Sequence, residues 1–216
     1  MTGTDPAAEW RRLAGEGPEA RAVGEELLRR WSEPHRSHHT LAHLRDTLRA
    51  ADLLLVSDGG ADADADAVRY AVWFHDAVYE GRPGEDEEQS ALLAERMLGR
   101  MGVAPTLIGE VARLVRLTTD HHAEAGDHEG AVLCDADLSV LGSEPEGYLT
   151  YAAAVREEYR HVPDHLFRVG RIRVLKSLLD APRLFRTEPG RRWWEARARA
   201  NVSAEVERLR QASDEG

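Results

Sequence analysis

Apolar residues recur along most of this chain at the three- and four-residue spacings of amphipathic helices. Leu41, Leu44, Leu48 and Leu55 form one such stripe, which a helix turning about 100° per residue places on a single face. Alternating runs bounded by hairpin dipeptides, the pattern of half-buried β-strands, are nearly absent. The hydrophobic pattern therefore predicts an all-α protein.

The predicted helices lie between boundaries marked by glycines and prolines, which disfavour a helix interior. They cover residues 19–31, 40–56, 65–79, 87–101, 105–122, 134–142, 145–160, 164–180 and 191–211. Residues 57–67 are predicted to form a loop and residues 80–86 a turn. Because no internal repeat or linker is visible, the pattern predicts one domain over 1–216, with a core at about 31–180 and a C-terminal helical extension at 181–216.

Composition narrows the classes of partner. The chain has 216 residues, a net charge of -11 and a pI near 5.4, which argues against duplex nucleic acid or an anionic membrane as the main partner. No apolar run approaches the roughly 18–20 residues of a membrane span, and the N-terminus lacks a signal-peptide pattern. The single cysteine, Cys134, permits no intramolecular disulfide, which fits a reducing compartment, so we expect a cytoplasmic protein. We also expect a monomer or a homodimer.

A histidine and an aspartate stand side by side at the end of one apolar run. On the helical wheel, His75 continues the stripe of Val68, Ala71 and Val72 towards the interior, and Asp76 lies four residues after Val72. A buried carboxylate is costly unless a cation offsets its charge. The pair therefore indicates either an arginine partner, a wet helix end, or a bound metal.

Further histidines cluster elsewhere in the sequence. His39 and His43 are four residues apart and share a helix face. At the end of predicted helix 105–122, His122 falls about 20° from the centre of the apolar stripe and His121 about 80° from it. The wheel therefore predicts that His122, rather than His121, points inward, unless the pair simply caps the helix end.

Two aspartates in predicted helix 134–142 point in roughly opposite directions. Asp137 lies on the inner face, whereas Asp135 is predicted to be a first-turn helix residue. The groups predicted to meet in the interior are His43, His75, Asp76 and Asp137, with His39, His121 and His122 nearby. Two imidazoles and two carboxylates suit a divalent ion such as Mn, Fe, Co, Ni, Zn or Mg, so we predict a metal site.

The order of these residues resembles the H…HD…D pattern of the HD superfamily of metal-dependent phosphohydrolases, with His43, the pair His75 and Asp76, and Asp137 in the matching positions. "HHTLAHL" is similar to the Y-H-N-x-x-H segment of the cyclic-nucleotide phosphodiesterases, and "ADLS" to their last metal aspartate segment. "WFHDAVYE", "EDEEQSA", "LCDADLSVLG" and "VREEYRHVP" resemble a bacterial subgroup of predicted HD phosphohydrolases along about 31–205. Asp86 stands where that subgroup usually has asparagine, and His38 where tyrosine is common.

The resemblance implies a single HD-type helical bundle that hydrolyses a small phosphoester, with a nucleotide as the expected substrate. It implies that His43, His75, Asp76 and Asp137 ligate the metal and that His39 protonates the leaving group. Asp76 or Asp137 would orient or deprotonate the attacking water. Glu87 is a candidate catalytic base or a partner of the ligands, or else a solvated residue at a helix start.

Substrate contacts are harder to assign from sequence. Arg36 is the first candidate for binding phosphate, since arginine matches phosphate geometry. His121 and His122 are candidates for contacting substrate or a second metal. Trp193 and Trp194 are expected to pack a terminal helix against the core in preference to stacking a nucleobase.

Two other functions remain open. Some HD-fold enzymes hold two irons and oxidise C–H bonds with O₂, and these usually have more histidines between the HD pair and the last aspartate. The other alternative is a non-catalytic module that senses a nucleotide. The few histidines in that interval favour the hydrolase over the oxygenase, and the complete ligand set together with His39 argues against the sensor.

Overall fold

A computed structural model describes residues 5–57 and 64–214, and all regular structure in those two ranges is helical. The prediction of an all-α fold is confirmed. No helix of the described part is long and apolar enough to cross a membrane. Most of the predicted loop 57–67 lies outside the described residues.

The helices follow one another with short connections. They are α1 Pro6–Ala14, α2 Pro18–Arg30, α3 Leu41–Ser57, α4 Ala65–Phe74, α5 Glu85–Arg100, α6 Pro105–Leu117, α7 His128–Asp137, α8 Pro145–Glu158, α9 Asp164–Asp180, the short α10 Glu188–Gly190 and α11 Ala196–Asp214. A 3₁₀ segment, Leu138–Gly142, follows α7, and a π segment, Arg191–Glu195, joins α10 to α11. Prolines in the first turn open α1, α2, α6 and α8, as expected where the missing N–H has no helical partner.

Three predicted boundaries are wrong, and all three concern the site. Helix α4 ends at Phe74 and α6 at Leu117, earlier than predicted. Helix α7 begins at His128, where the Asp127 carboxylate caps the Gly130 N–H, and it gives way to the 3₁₀ segment after Asp137. The histidines and aspartates of interest therefore lie at helix ends, where the 100° wheel no longer fixes their direction.

Buried apolar side chains form two clusters. The first runs from Trp10 to Ala136 and joins α1 to α7, and the second runs from Leu141 to Val206. Trp194 packs against both. The division between the two clusters therefore falls between α7 and the 3₁₀ segment.

Asp135 ties the C-terminal part to α7. Its buried carboxylate accepts hydrogen bonds from the N–H groups of Arg186 and Thr187 and from the Thr187 hydroxyl, at 2.7–2.8 Å. Burial raises the pKa of Asp135 to about 6, against the opposing effect of these hydrogen bonds. The prediction of a first-turn position for Asp135 was wrong because α7 begins seven residues earlier, at His128.

Helix α1, which the sequence pattern did not predict, is held by Trp10. The Trp10 indole is 2% exposed, donates to the Ala20 carbonyl at 2.7 Å and packs edge-on against Trp73 and Phe74. Gly24 of α2 leaves room for it, since a Cβ there would lie 2.6 Å from the indole nitrogen. Helices α1 and α2 can approach closely only because residue 24 has no side chain.

Gly24→Ala is therefore expected to lower the free energy of unfolding. Overpacking a close contact costs about 1–3 kcal/mol, more than the gain of up to about 1 kcal/mol from replacing a helical glycine. Gly99→Ala in α5 is the control, because a Cβ there meets nothing within 4 Å, and it should stabilise by about 0.5–1 kcal/mol. Urea unfolding of both variants measures the difference, and equal stabilisation by both would contradict the packing argument.

Candidate metal centre

The ends of three helices bring the predicted ligands together. His43 lies in the first turn of α3, His75 and Asp76 directly follow α4, and Asp137 is the last residue of α7. The His43 Nε2 lies 3.0 Å from Asp137 Oδ1 and 3.3 Å from His75 Nε2. The His75 Nε2 lies 3.1 Å from Asp76 Oδ2. His43, His75 and Asp137 offer ligand atoms within 4.8 Å of one another and could hold a metal ion.

The chemistry of the donor set fits such an ion. His75 is 1% exposed, and its Nδ1 donates to the Val72 carbonyl at 2.8 Å, which leaves the Nε2 lone pair of the neutral ring pointing at the cluster. The Asp76 Oδ2 lies 3.8 Å from His43 Nε2. Two nitrogen donors from buried histidines and two carboxylate donors from half-buried aspartates match the ligands of borderline divalent metals.

Without a metal ion, a protonated histidine offsets the negative charge of the aspartates in this cluster. Burial disfavours the charged ring of His75, but the carboxylates of Asp76 and Asp137 outweigh burial and raise its pKa well above the usual range. Burial likewise opposes ionisation of the two aspartates, yet His75 and its neighbours hold the pKa of each below its usual value. A proton on His75 therefore takes the place that a cation would fill.

His39 lies beside the cluster and is firmly oriented. Its Nε2 lies 3.9 Å from Asp76 Oδ2, and its Nδ1 lies 2.8 Å from Glu158 Oε2. Its ring stacks on Tyr79 with 4.0 Å between centroids. Burial alone would lower the pKa of His39. The negative charge of Asp76 and the hydrogen bond to Glu158 raise it by more, so the pKa lies above its usual value. The Nε2 edge of His39 therefore faces the candidate metal ligands, and its ring holds a proton more readily than a free imidazole.

Glu158, which the sequence analysis missed, organises this corner of the site. Its Oε1 accepts from the N–H groups of Ser37, His38 and His39 at 2.8–3.0 Å, and its Oε2 also accepts from the Tyr79 hydroxyl at 3.0 Å. A signal was present in the sequence. Glu158 follows the buried Val155 of α8 by three residues, so it continues an inward face.

Arg36 does not have the predicted role of binding phosphate. All five of its N–H groups are engaged: two with Glu33, and three with the carbonyls of His39, Asp76 and Ala77. The guanidinium also lies between the rings of Trp31 and Tyr79. Arg36 instead fixes the backbone that carries His39 and Asp76, although Asp76 lies 40 residues after Arg36 on a separate segment.

Glu87 contacts the start of α5, as one of its two predicted interpretations had it. Its carboxylate accepts from the Gly84 N–H at 2.5 Å and so caps the start of α5. The buried Asp86 accepts from the N–H groups of Glu80 and Arg82. The helix-start interpretation of Glu87 is therefore the one that the structure supports.

Of the two adjacent histidines, the one that points toward the cluster is His121, whereas His122 had been predicted. His121 Nε2 lies 2.7 Å from Asp137 Oδ2, whereas the exposed His122 ring lies 3.4 Å from the Arg186 guanidinium. Helix α6 ends at Leu117, and His121 adopts a left-handed conformation with φ 54°. The wheel prediction was wrong because it extended the helix through this turn.

Comparison with known proteins identifies a related fold but no family. No protein-family model matches the chain, and no curated protein matches it. A structural-genomics crystal structure of a protein from Lactobacillus plantarum superposes with a TM-score of 0.58 at 17% identity, over 99% of this chain and 98% of that one. At this identity the likeness concerns the fold alone.

Proposed function

We propose that this protein is a metal-dependent phosphohydrolase that cleaves a small phosphoester. The observation that carries the proposal is the close meeting of His43, His75, Asp76 and Asp137 beside the half-buried His39, whose pKa is raised. The resemblance to the HD superfamily noted in the sequence supports the same reaction. A cavity of about 520 Å³, whose lining includes His43 and Asp137, provides space for a substrate next to the ligands.

The residues of the cluster would hold a divalent ion, which in such a centre activates water and offsets charge on a phosphoryl group. During hydrolysis a P–O bond forms to the water oxygen, and the P–O bond to the leaving group breaks. Asp76 or Asp137 would orient the water or accept its proton. His39 Nε2 would give its proton to the departing oxygen, as its raised pKa allows near neutral pH.

Asp76→Ala tests the proposal most directly. Metal content by elemental analysis and phosphate release from a panel of nucleotides and other phosphomonoesters are measured with added Mn, Co, Ni, Mg or Zn. Wild type is expected to release phosphate only with metal, and Asp76→Ala to lose at least about 10²-fold in rate. Asp66→Ala, at a position on α4 whose side chain is 62% exposed, is the control and should retain activity.

The two possible failures distinguish a wrong activity from a wrong metal centre. Stoichiometric metal without phosphate release from any substrate would overturn the hydrolase and leave the metal centre standing. Failure to bind any of the five metals would overturn the metal centre as well.

One contact favours a second candidate, the HD-type di-iron oxygenase. His121 adds a third imidazole at 2.7 Å from Asp137, as a centre with more histidines would require. Two irons per chain together with O₂ consumption would establish this alternative. A single ion and no O₂ consumption would favour the hydrolase.

A further inference from the structure

Tyr79 contacts both His39 and the carboxylate that orients it. The Tyr79 ring stacks on the His39 imidazole, with 4.0 Å between centroids and 28° between the ring planes. The Tyr79 hydroxyl donates to Glu158 Oε2 at 3.0 Å, and the same oxygen lies 2.8 Å from His39 Nδ1. One side chain therefore limits both the tilt of the imidazole and the direction of its carboxylate partner.

The charge states of Tyr79 and Glu158 fix the direction of these hydrogen bonds. Burial and the negative charge of Glu158 raise the pKa of Tyr79 far above its usual value, so the phenol keeps its proton and acts as a donor. Burial opposes ionisation of Glu158, but its hydrogen bonds with His39 and the backbone hold its pKa below the usual value. Glu158 Oε2 is therefore an acceptor shared by two donors, which leaves His39 Nε2 directed at Asp76 Oδ2, 3.9 Å away.

The backbone around Tyr79, between α4 and α5, is held from two other parts of the chain. The Tyr79 carbonyl accepts from His35 Nε2 at 2.8 Å. The Val78 N–H donates to the Ser90 hydroxyl at 3.0 Å, and this hydroxyl donates to the Val78 carbonyl at 3.3 Å. The N–H that follows Tyr79 donates to Asp86 Oδ2 at 2.9 Å. Because the segment lies beyond the end of α4, these contacts set the position of Tyr79.

Two of these contacts give a role to a motif that the candidate metal centre leaves unused. The motif "EDEEQSA" opens α5, and its two buried polar side chains, Asp86 and Ser90, both bind the backbone beside Tyr79. Asp86 Oδ2 also accepts from the Arg82 N–H at 2.8 Å, so one carboxylate oxygen closes the turn that follows Tyr79. The start of α5 therefore holds the tyrosine in place.

We propose that Tyr79 is a positioning residue for His39, and that Asp86 and Ser90 act on the reaction through Tyr79. In this arrangement the tyrosine keeps the imidazole plane and the Glu158 oxygen fixed while His39 Nε2 gives its proton to the leaving-group oxygen. The inference rests on the proposed function for the role of His39 as the acid. Since a misplacement of about 1 Å can cost about 10²-fold in rate, loss of this support should lower kcat and leave KM unchanged.

Two substitutions at Tyr79 test its two contacts. Tyr79→Phe keeps the stacked ring and removes the hydroxyl, whereas Tyr79→Leu removes both. For each alkyl phosphomonoester that wild type hydrolyses, kcat is expected to fall about three- to tenfold in the phenylalanine variant and about 10²-fold in the leucine variant. Hydrolysis of p-nitrophenyl phosphate, whose leaving group needs no proton, should slow by less than about twofold. KM should stay within about twofold of wild type for both kinds of substrate.

Tyr70→Phe is the matched control, because it removes a hydroxyl on α4 that contacts the Leu13 carbonyl of α1 at 3.4 Å. It should change neither rate. Circular dichroism and thermal unfolding report whether each variant is folded. Equal losses on both kinds of substrate in folded Tyr79→Leu, or wild-type rates on both, would overturn the positioning role.

Substitutions at the start of α5 test whether the motif acts through Tyr79. Ser90→Ala removes both hydrogen bonds to Val78, and Asp86→Ala removes the acceptor of the turn after Tyr79. Both variants are expected to slow the alkyl phosphomonoesters and to spare p-nitrophenyl phosphate, as Tyr79→Phe does. Asp86→Asn should keep most of the activity, since an amide oxygen can accept the two N–H groups that now bond to Oδ2. Equal losses in Asp86→Asn and Asp86→Ala would show that Asp86 acts through its charge and would overturn its link to Tyr79.

Proton NMR of the EDTA-treated protein separates this inference from the proposed function. The ring current of Tyr79 should place the His39 ring protons upfield, and their signals are assigned by their absence in His39→Gln. In Tyr79→Leu these signals should move downfield, and in Tyr79→Phe they should stay near their wild-type positions. That result in a protein that hydrolyses no phosphoester would retain Tyr79 as the residue that orders His39 and overturn the hydrolase alone. Signals that do not move in Tyr79→Leu would overturn the stacking and leave the hydrolase standing.

Discussion

Asp137→Ala is expected to abolish tight metal binding and to reduce metal-dependent phosphate release by about 10³-fold or more. Asp137 is the carboxylate that the other groups share, because its Oδ1 lies 3.0 Å from His43 Nε2 and 3.5 Å from His75 Nε2. Its Oδ2 lies 2.7 Å from His121 Nε2. Removing it therefore takes away one ligand and leaves three buried or half-buried imidazoles without their common counter-charge.

Isothermal titration with Mn or Zn measures the binding, and phosphate release measures the activity. Asp52→Ala is the matched control, because that side chain on α3 is 50% exposed and pairs with Arg69 outside the cluster. The control is expected to bind metal as wild type does. If Asp137→Ala also bound metal with wild-type affinity, the assignment of this cluster as the metal centre would be wrong.

The same cluster sets a pH dependence in wild type. Because the folded-state pKa of His75 is raised above that of the unfolded chain, its contribution to stability is fully present below the unfolded pKa and is lost as pH rises through the folded one. A metal ion competes with that proton, so metal affinity should rise as pH rises. We therefore expect the difference in Tm between metal-loaded and EDTA-treated protein to widen from about pH 6 to pH 8. A constant difference would contradict the competition.

The sequence predicted the fold class and the meeting of His43, His75, Asp76 and Asp137 because each depends on a short-range pattern. His43, His75 and Asp137 each follow an apolar stripe on their own helix, and a buried carboxylate requires a cation wherever the helices meet. The helical wheel predicted that these groups point inward, and the resemblance to the HD pattern grouped them as one ligand set. The pairing of Trp10 with Gly24 was not visible, since nothing within α1 or α2 alone signals a close approach.

The errors at the site arose at helix ends. His121 and His122 could not be ordered by a wheel, because α6 had already ended and one residue in the turn has positive φ. The role of Arg36 depends on carbonyl groups about 40 residues away in sequence, and a pattern of side chains does not report where carbonyls point. Long-range contacts of this kind emerge only from the fold.

Glu158→Gln is expected to lower kcat by about 10²-fold at pH 7–8, the usual contribution of a general acid. The glutamate carries a negative charge between three backbone N–H groups on one side and His39 Nδ1 on the other. Glutamine keeps the shape but removes that charge and one of the two acceptors. The pKa of His39 should therefore fall, and less of the acid form would be present near neutral pH.

The pH profile distinguishes loss of proton donation from a general structural defect. Since His39 must be protonated to act, activity falls as pH rises above its pKa, and in Glu158→Gln this alkaline limb should move to lower pH. An aryl phosphate whose leaving group needs no proton, such as p-nitrophenyl phosphate, should be slowed much less. Glu157→Gln, at a neighbouring side chain that is 56% exposed, should change neither property. A uniform loss on all substrates with an unmoved alkaline limb would mean that Glu158 only stabilises the loop, and that the leaving group obtains its proton from a group other than His39.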